Sequence, residues 1–134
     1  MGLYIDIGHM VVLAGILENA HMLLANVYAP NVEGPGFYDD FMSLCSEYRD
    51  WPMIWGGDFN TILSPLIDTT CDTHAPSRQS AEVLSLTMQL LNLVDTWQQL
   101  HPAVAEYTYH SHVHNIYSRL DMWLISGELT PRVS

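Results

Sequence analysis

Lysine is absent from this sequence of 134 residues, and its cationic side chains other than histidine are four arginines. Fifteen Asp and Glu residues give a formal net charge of -11, so the chain stays acidic even if all 7 histidines are protonated. Because proteins bind phosphate backbones by replacing counterions with cationic side chains, this composition disfavours a nucleic-acid partner. Any nucleic-acid function must be reconciled with that charge.

Cysteines and long apolar runs are also scarce. Cys45 and Cys71 are too few for a disulfide framework or a zinc site, and they are typical of reduced thiols in an intracellular protein. The longest early apolar run covers residues 11–17, well below the ~18 residues of a membrane span, and no basic region precedes it as in a secretory signal. We therefore expect an intracellular protein without a membrane partner.

Apolar residues make up 49% of the chain and charged residues 14%, which is typical of a globular protein of one domain at this length. Hydrophobic periodicity and the breakers between apolar runs predict the order strand, strand, helix, strand, helix, strand, strand, which favours α/β layers. The predicted strands cover residues 9–17, 21–28, 53–57, 107–109 and 117–125, the helices residues 37–50 and 77–93 with Ser77 as N-cap, and a helical turn residues 93–102.

Asp58 and Asn60 follow the predicted strand at residues 53–57, the kind of position where α/β sheets place ligand sites. In an extended backbone the two side chains point the same way, while Phe59 turns into the core. A carboxylate beside an amide can orient a water molecule and donate to a developing oxyanion, as phosphodiester hydrolysis requires. The alternative is an Asx turn that closes the strand, and these residues alone favour that turn.

Five sequence motifs, by their order and natural spacing, favour the catalytic pair over a simple Asx turn. They are "NVYAPN" at 26–31, "GGDFNT" at 56–61, "NLVDTWQQLHP" at 92–102, "EYTYHS" at 106–111 and "YSRLDMWLIS" at 117–126. Together they resemble the endonuclease/exonuclease/phosphatase superfamily, and most closely the apurinic-like endonuclease domain of LINE-type retrotransposons. The resemblance implies a partial four-layer α/β sandwich of two packed, mainly antiparallel sheets flanked by helices. It also implies Mg²⁺-dependent DNA cleavage, with a nuclear location if that role is retained.

The resemblance also implies roles for individual residues. Tyr28 matches the tyrosine that contacts the scissile phosphate, and Asp58 and Asn60 match the pair that activates water and stabilises the transition state. Asp121 matches the aspartate that orients a catalytic histidine, and Thr108 matches a position on the substrate side of the site. Without the resemblance, Tyr28 would be a half-buried sheet tyrosine and Asp121 a strand-end carboxylate paired with Arg119 or a backbone amide.

Arg119 and His112 complete the predicted substrate-binding residues. His110, His112 and His114 alternate, which permits a shared metal, but the resemblance makes this segment the turn of a hairpin that projects toward DNA. A turn breaks the alternation that would bring the rings together, so no metal site is predicted there. Partly protonated imidazoles such as His112 can still touch phosphate.

Two departures from the family predict an incomplete active site. The glutamate that is the main Mg²⁺ ligand belongs to a region before this chain begins, and Glu18 lies in a hairpin turn where the family has no ligand. The closing Ser-Asp-His motif is not found, and none of the histidines occupies its place. We therefore expect residues 1–134 to be an incomplete domain, inactive alone. The alternatives are a non-catalytic decayed or interaction protein, or a small-molecule phosphatase. Exposed sheet edges in an incomplete domain also predict that the chain self-associates.

Overall fold

The computed structural model describes residues 3–6, 9–30, 36–71 and 78–133. Its strands are β1 Leu3–Asp6, β2 Met10–Leu17, β3 Ala20–Tyr28, β4 Met53–Asp58, β5 Leu93–Asp95, β6 Tyr109–Ser111, β7 Ile116–Ser118 and β8 Asp121–Ser126. Its helices are α1 Gly36–Ser46, α2 Pro65–Asp68, α3 Arg78–Leu91, α4 Thr96–Leu100 and a closing 3-10 helix, Gly127–Arg132. No helix in these ranges is long and apolar enough to cross a membrane.

Six strands form the larger sheet in the order β1-β2-β3-β4-β8-β5, and β6 pairs with β7 in a second, two-stranded sheet. β3 and β4 run parallel, joined by a connection that includes α1, and the other described pairs are antiparallel. A parallel pair needs such a crossover, whereas antiparallel neighbours need only a short turn. The predicted α/β class with mainly antiparallel sheets and flanking helices is thereby confirmed.

One face of the larger sheet carries the hydrophobic core. Alternate residues of the strands are buried there because successive side chains of a strand point to opposite faces. Helices α1 and α3 contribute to the same core cluster, and the ring of Phe41 lies 4.3 Å from that of Trp55. The buried strand residues include Met10, Val12, Leu23, Ala25, Val27, Met53, Trp55, Met122 and Leu124, and the helices add Phe41, Cys45 and Leu84.

The opposite face, which we call the open face, has large side chains that remain accessible. Tyr4 and Leu13 are cross-strand partners on this face and are 65% and 43% exposed. Further along the sheet, Trp123 is partnered with Gly56 and is 62% exposed. Its indole ring occupies the position that a Cβ on Gly56 would need, so glycine there permits the ring to lie against the strand. The two faces of the sheet therefore differ sharply in packing.

The predicted hairpin is confirmed. Glu18 and Asn19 form its turn with φ of 50° and 66°, as expected when two central residues adopt the left-handed conformation of a type I′ turn. Helix α1 ends at Ser46 rather than residue 50, because the following turns use short-range bonds such as Tyr48 N to Cys45 O. Helix α3 ends at Leu91, where Asn92 has φ 54° and terminates it. The proposed N-cap, Ser77, lies outside the described residues.

Other elements also differ from the prediction, and the strand predicted at residues 107–109 is β6, Tyr109–Ser111. Strand β1 was not predicted. Residues 93–95 form strand β5 before helix α4, since they pair with β8, where a helical turn was predicted. The predicted strand at 117–125 is two strands, β7 and β8, because Arg119 between them turns inward to two buried carboxylates.

Candidate active site

Three of the predicted site residues lie side by side across three neighbouring strands. Tyr28 at the end of β3 is the direct partner of Asp58 at the end of β4, and Asp58 is the direct partner of Asp121 at the start of β8. Directly opposed residues on paired strands have their Cβ atoms about 5 Å apart and point to the same face. Tyr28, Asp58 and Asp121 therefore form one row, which we call the acidic row, at one end of the open face.

The turn after β4 attaches Asn60 to this row. Gly57 has φ +134°, and a Cβ there would lie 2.1 Å from the Val27 carbonyl oxygen, so only glycine lets β4 approach β3 this closely. Asn60 has φ 46°; its backbone N–H donates to Asp58 Oδ1 at 2.9 Å, and its Nδ2 donates to the Ala29 carbonyl at 2.6 Å. The Asx turn is thus present in place of an extended backbone. It brings the backbone N–H of Asn60 to the Asp58 carboxylate, while the Asn60 side chain is hydrogen-bonded to Ala29.

Phe59 anchors this turn in the core, as predicted, and is completely buried. Its backbone N–H donates to the Leu120 carbonyl at 2.9 Å, while its carbonyl accepts a hydrogen bond from the buried Tyr38 hydroxyl. Burial raises the pKa of Tyr38, and the charge of Asp58 raises it further, so the phenol remains a donor. No sequence motif marks this contact, and its signal in the sequence is the helical spacing that places Tyr38 on the core side of α1.

Asp58 has a perturbed carboxyl group. Partial burial raises its pKa, the Asn60 N–H lowers it, and the negative charge of Asp121 raises it again, with a net increase. Two carboxylates held close together disfavour each other's ionisation, and a carboxylate with a raised pKa is a stronger base toward water. The geometry therefore provides one candidate general base, Asp58, with an amide donor beside it.

Tyr28 is 64% exposed, so the alternative of a half-buried sheet tyrosine is wrong. Its backbone exchanges hydrogen bonds with His9: the Tyr28 N–H donates to the His9 carbonyl at 2.7 Å, and His9 Nδ1 lies 3.0 Å from the Tyr28 carbonyl. The two rings stack with centroids 6.3 Å apart. The backbone of Tyr28 is therefore fixed by hydrogen bonds at one end of the acidic row, while its phenol side chain is exposed to solvent.

Asp121 and Arg119 are not partners, so the ion-pair form of the alternative for Asp121 is wrong. The Arg119 guanidinium is buried and binds two other carboxylates: Nε donates to Asp68 at 2.9 Å, and Nη2 donates to Asp95 at 2.5 Å. These carboxylates raise the pKa of Arg119 despite the opposing effect of burial. A substrate contact with Arg119 would have to replace two buried ion pairs, and a substrate-binding role for it stays a prediction.

Thr108 lies beside the row and contacts the backbone there. Its hydroxyl oxygen accepts hydrogen bonds from the N–H groups of Leu120 at 3.0 Å and Asp121 at 3.2 Å. The sequence placed Thr108 on the substrate side of the site, and the structure puts it next to Asp121 with its hydroxyl engaged by two amides. With the bond from its own N–H to the Ser118 carbonyl, its described hydrogen bonds are all to residues 118–121.

The histidine-rich segment forms the β6–β7 hairpin. His110 stacks on Tyr117 with ring centroids 4.2 Å apart, and its Nε2 lies 3.1 Å from Asn115 Oδ1. His112 packs edge-on against His110 at 4.5 Å and is exposed to solvent. His112 lies in the turn between β6 and β7, outside the larger sheet, so a contact with substrate at the row remains a prediction.

A magnesium site requires several oxygen ligands around one ion, supplied by carboxylates, water and substrate phosphates. In the part of the chain that the structure describes, no group of three or more His, Cys, Asp or Glu side chains could hold a metal ion. An ion at the acidic row would therefore depend on Asp58 and Asp121 together with further oxygen ligands such as water and substrate.

No protein-family model matches the sequence. Solved structures do match the fold, and the chain spans about half of their length. An AP endonuclease from Leishmania major is similar with a TM-score of 0.72 and 18% identity, over 92% of this chain and 47% of that one. An AP endonuclease from Archaeoglobus fulgidus is similar with a TM-score of 0.68 and 15% identity, over 90% of this chain and 54% of that one. A Neisseria 3′ phosphatase bound to product DNA hairpin is similar with a TM-score of 0.64 and 20% identity, over 90% of this chain and 53% of that one.

These similarities define the class of fold. The chain has the α/β architecture seen in two AP endonucleases and in a Neisseria protein described as a 3′ phosphatase and as a 3′-5′ exonuclease. At identities of 15 to 21% they establish the fold alone, and function has to be argued from the site.

Proposed function

We propose that the chain derives from a DNA endonuclease that cleaves phosphodiesters, of the type found in LINE retrotransposons and dependent on Mg²⁺ when complete. The observation that carries this proposal is the in-register placement of Tyr28, Asp58 and Asp121 on adjacent strands, with Asn60 tied to Asp58. The similar folds of two AP endonucleases support it. Roles for these residues come from the sequence resemblance, and their juxtaposition makes those roles chemically consistent.

In this proposal Asp58 removes a proton from the attacking water, since its carboxyl has a raised pKa and lies at the mouth of the row. Asn60 donates an amide hydrogen to the phosphate as negative charge develops, because only one of its two amide hydrogens is used by Ala29. Tyr28 contacts the scissile phosphate through its exposed phenol. Asp121 orients a partner group that the resemblance identifies as a histidine.

The charge of the chain argues for weak DNA binding. A net charge of -11 opposes association with a polyanion, and Arg119 is already committed to Asp68 and Asp95. We therefore propose that these 134 residues, by themselves, contact a phosphodiester at the acidic row but cleave DNA at or near the background rate.

Two other functions have specific support. The exposed side chains of Tyr4, Leu13 and Trp123 favour a non-catalytic protein that associates with itself or a partner through apolar surface. The acidic composition favours an enzyme that acts on a small phosphorylated molecule and needs no basic DNA groove.

The test combines site mapping with two activity assays. NMR amide shifts are recorded while a short duplex with an abasic site is added at low salt, and plasmid nicking with Mg²⁺ is compared between wild type and Asp58→Ala. We expect the shift changes to centre on Tyr28, Asp58, Asn60 and Asp121, with nicking equal to the Asp58→Ala background.

Shift changes centred elsewhere would refute the site, and nicking above that background would refute the proposed inactivity. Phosphate release from inositol phosphates that is lost in Asp58→Ala would favour the phosphatase. Concentration-dependent association without any phosphodiester contact at the row would favour the non-catalytic protein.

A further inference from the structure

Residues 118–121 connect β7 to β8 and end at Asp121. Thr108 holds this segment with three hydrogen bonds. Its backbone N–H donates to the Ser118 carbonyl at 3.0 Å, and its hydroxyl oxygen accepts from the N–H groups of Leu120 and Asp121. A threonine hydroxyl has two lone pairs, and here both accept hydrogen bonds, from the two adjacent backbone N–H groups at the start of β8.

Arg119 holds the same segment from the buried side. Its backbone N–H donates to the Asp68 carbonyl at 2.8 Å, and its side chain makes paired hydrogen bonds to both Asp68 and Asp95. Planar, two-pronged pairing with carboxylates fixes direction as well as distance. The two acceptors are themselves fixed, since Asp68 accepts from the Ser64 N–H and Asp95 caps helix α4 by accepting from the Gln98 N–H.

The segment is also joined to the other half of the row. Leu120 O accepts from the Phe59 N–H at 2.9 Å, and Phe59 is the residue immediately after Asp58. A displacement of residues 118–121 would therefore change the position of Asp121 relative to Asp58. We propose that Thr108 and Arg119 are positioning residues, which clamp residues 118–121 from the exposed and the buried side and hold Asp121 opposite Asp58. The catalytic meaning of this clamp rests on the proposed function.

Thr108 offers the cleaner test of the clamp. Thr108 is exposed, so removal of its hydroxyl lets water solvate the Leu120 and Asp121 amides and leaves no buried group unpaired. Loss of the Arg119 side chain would instead strand two buried carboxylates and risk unfolding. Thr70 provides a matched control, because it is also exposed and its hydroxyl accepts from the Tyr117 N–H at 3.0 Å in the adjoining strand β7.

The readout is the titration of the Asp58 carboxyl, followed by carbon NMR, because the charge of Asp121 acts on it. Asp121→Asn removes that charge, lowers the pKa of Asp58 and sets the largest shift. We expect Thr108→Val to lower the pKa in the same direction by at least about half of that shift, as Asp121 moves away. Thr108→Ser retains the hydroxyl and is expected to restore the wild-type titration, and Thr70→Val is expected to leave it unchanged.

An unchanged Asp58 titration in Thr108→Val, with a shift in Asp121→Asn, would overturn the proposal and make Thr108 a structural residue only. An equal shift in Thr70→Val would assign the effect to the hairpin as a whole and also overturn it. No shift in Asp121→Asn would show that the two carboxylates are not held together, which removes the basis of the clamp. None of these measurements uses DNA, so they test the clamp independently of the proposed function. If the expected titrations are observed but no phosphodiester binds at the acidic row, the clamp is supported and the proposed function is refuted.

Discussion

The two faces of the six-stranded sheet contain residues of the same kinds in very different surroundings. Trp55 on the core face is completely buried against Phe41, whereas Trp123, on the neighbouring strand β8, lies largely in solvent. Acidic side chains are divided in a similar way. Asp68 and Asp95 are buried and paired with Arg119, while Asp58 and Asp121 lie at the end of the open face.

Stability and candidate chemistry therefore depend on separate groups in this fold. The core face and the ion-pair cluster secure the ends of the strands, and they present the acidic row without contributing a side chain to it. The acidic row contains Asp58, whose pKa is raised. A raised pKa means that the ionised carboxylate destabilises the folded state, and it also makes that carboxylate a better base. Four substitutions test that separation, in order of decreasing effect.

The largest effect is expected from Trp55→Ala. Deleting a completely buried indole removes its apolar contacts and leaves a cavity beside Phe41, so the free energy of unfolding should fall by about 3–5 kcal/mol. Trp123→Ala removes the same side chain from the open face and should cost less than about 1 kcal/mol. Urea denaturation of both variants measures the difference. Equal losses would mean that the open face is covered in solution.

Arg119→Met tests the ion-pair cluster. It leaves Asp68 and Asp95 buried without a cation and should lower the free energy of unfolding by about 3–5 kcal/mol. The matched control is Arg132→Met, because Arg132 makes an exposed pair with Glu18 at 3.5 Å, worth about 0–1 kcal/mol at low salt. Thermal melts at low and high salt compare the two. A small loss in Arg119→Met would show that the buried cluster is dispensable.

Gly57→Ala tests the close approach of β3 and β4 behind the row. The added Cβ would meet the Val27 carbonyl oxygen and would hold a left-handed backbone in an alanine, so we expect a loss of about 1–3 kcal/mol. Gly36→Ala is the control, because a Cβ there has nothing within 4 Å. Denaturation that is equal in the two variants would contradict the structure at the end of β4.

The smallest effect, and the only stabilising one, is expected from Asp58→Asn. The pKa of Asp58 is higher in the folded chain than its ordinary value, so the folded state binds more protons in the intervening range and stability falls as pH rises through it. Asparagine can still accept from the Asn60 N–H, so the variant should gain less than about 1 kcal/mol at pH 7 because solvent screens this partly exposed group.

Melting temperatures at pH 7 and at about pH 3 check this expectation, since Asp58 is protonated in both states at the lower pH and the advantage should vanish there. Asp39→Asn in the first turn of α1 removes one negative charge from an exposed site and serves as the control. A gain that persists at the lower pH, or appears equally in Asp39→Asn, would point to net charge rather than to Asp58.

The parts of the fold that are encoded locally could be predicted from the sequence. The hairpin of β2 and β3, strand β4 and the two long helices follow from hydrophobic spacing and breakers, and the phrases around Tyr28, Asp58 and Asp121 located the row. Spacing could not reveal that Arg119 pairs with Asp68 and Asp95, which lie 51 and 24 residues away. A usable signal was that both carboxylates interrupt apolar stretches, where a buried charge requires a partner.

Other differences have similar causes. Strand β1 is only four residues long and is defined by its pairing with β2, so its own periodicity is too short to predict it. The left-handed conformation of Asn60 depends on hydrogen bonds to Asp58 and Ala29, and the latter belongs to a different strand segment. Long-range partners therefore determine the details of the site, while local pattern determines its location.

The packing of Cys45 in the core gives this protein a chemical reporter of its own opening. Burial raises the pKa of Cys45 to about 12, and since the thiolate is the form that reacts with alkylating reagents, the folded chain should protect this sulfur. Cys71 is only half-buried and offers an internal reference. The rate at which Cys45 becomes modified then reports how often α1 separates from the sheet, without any introduced probe.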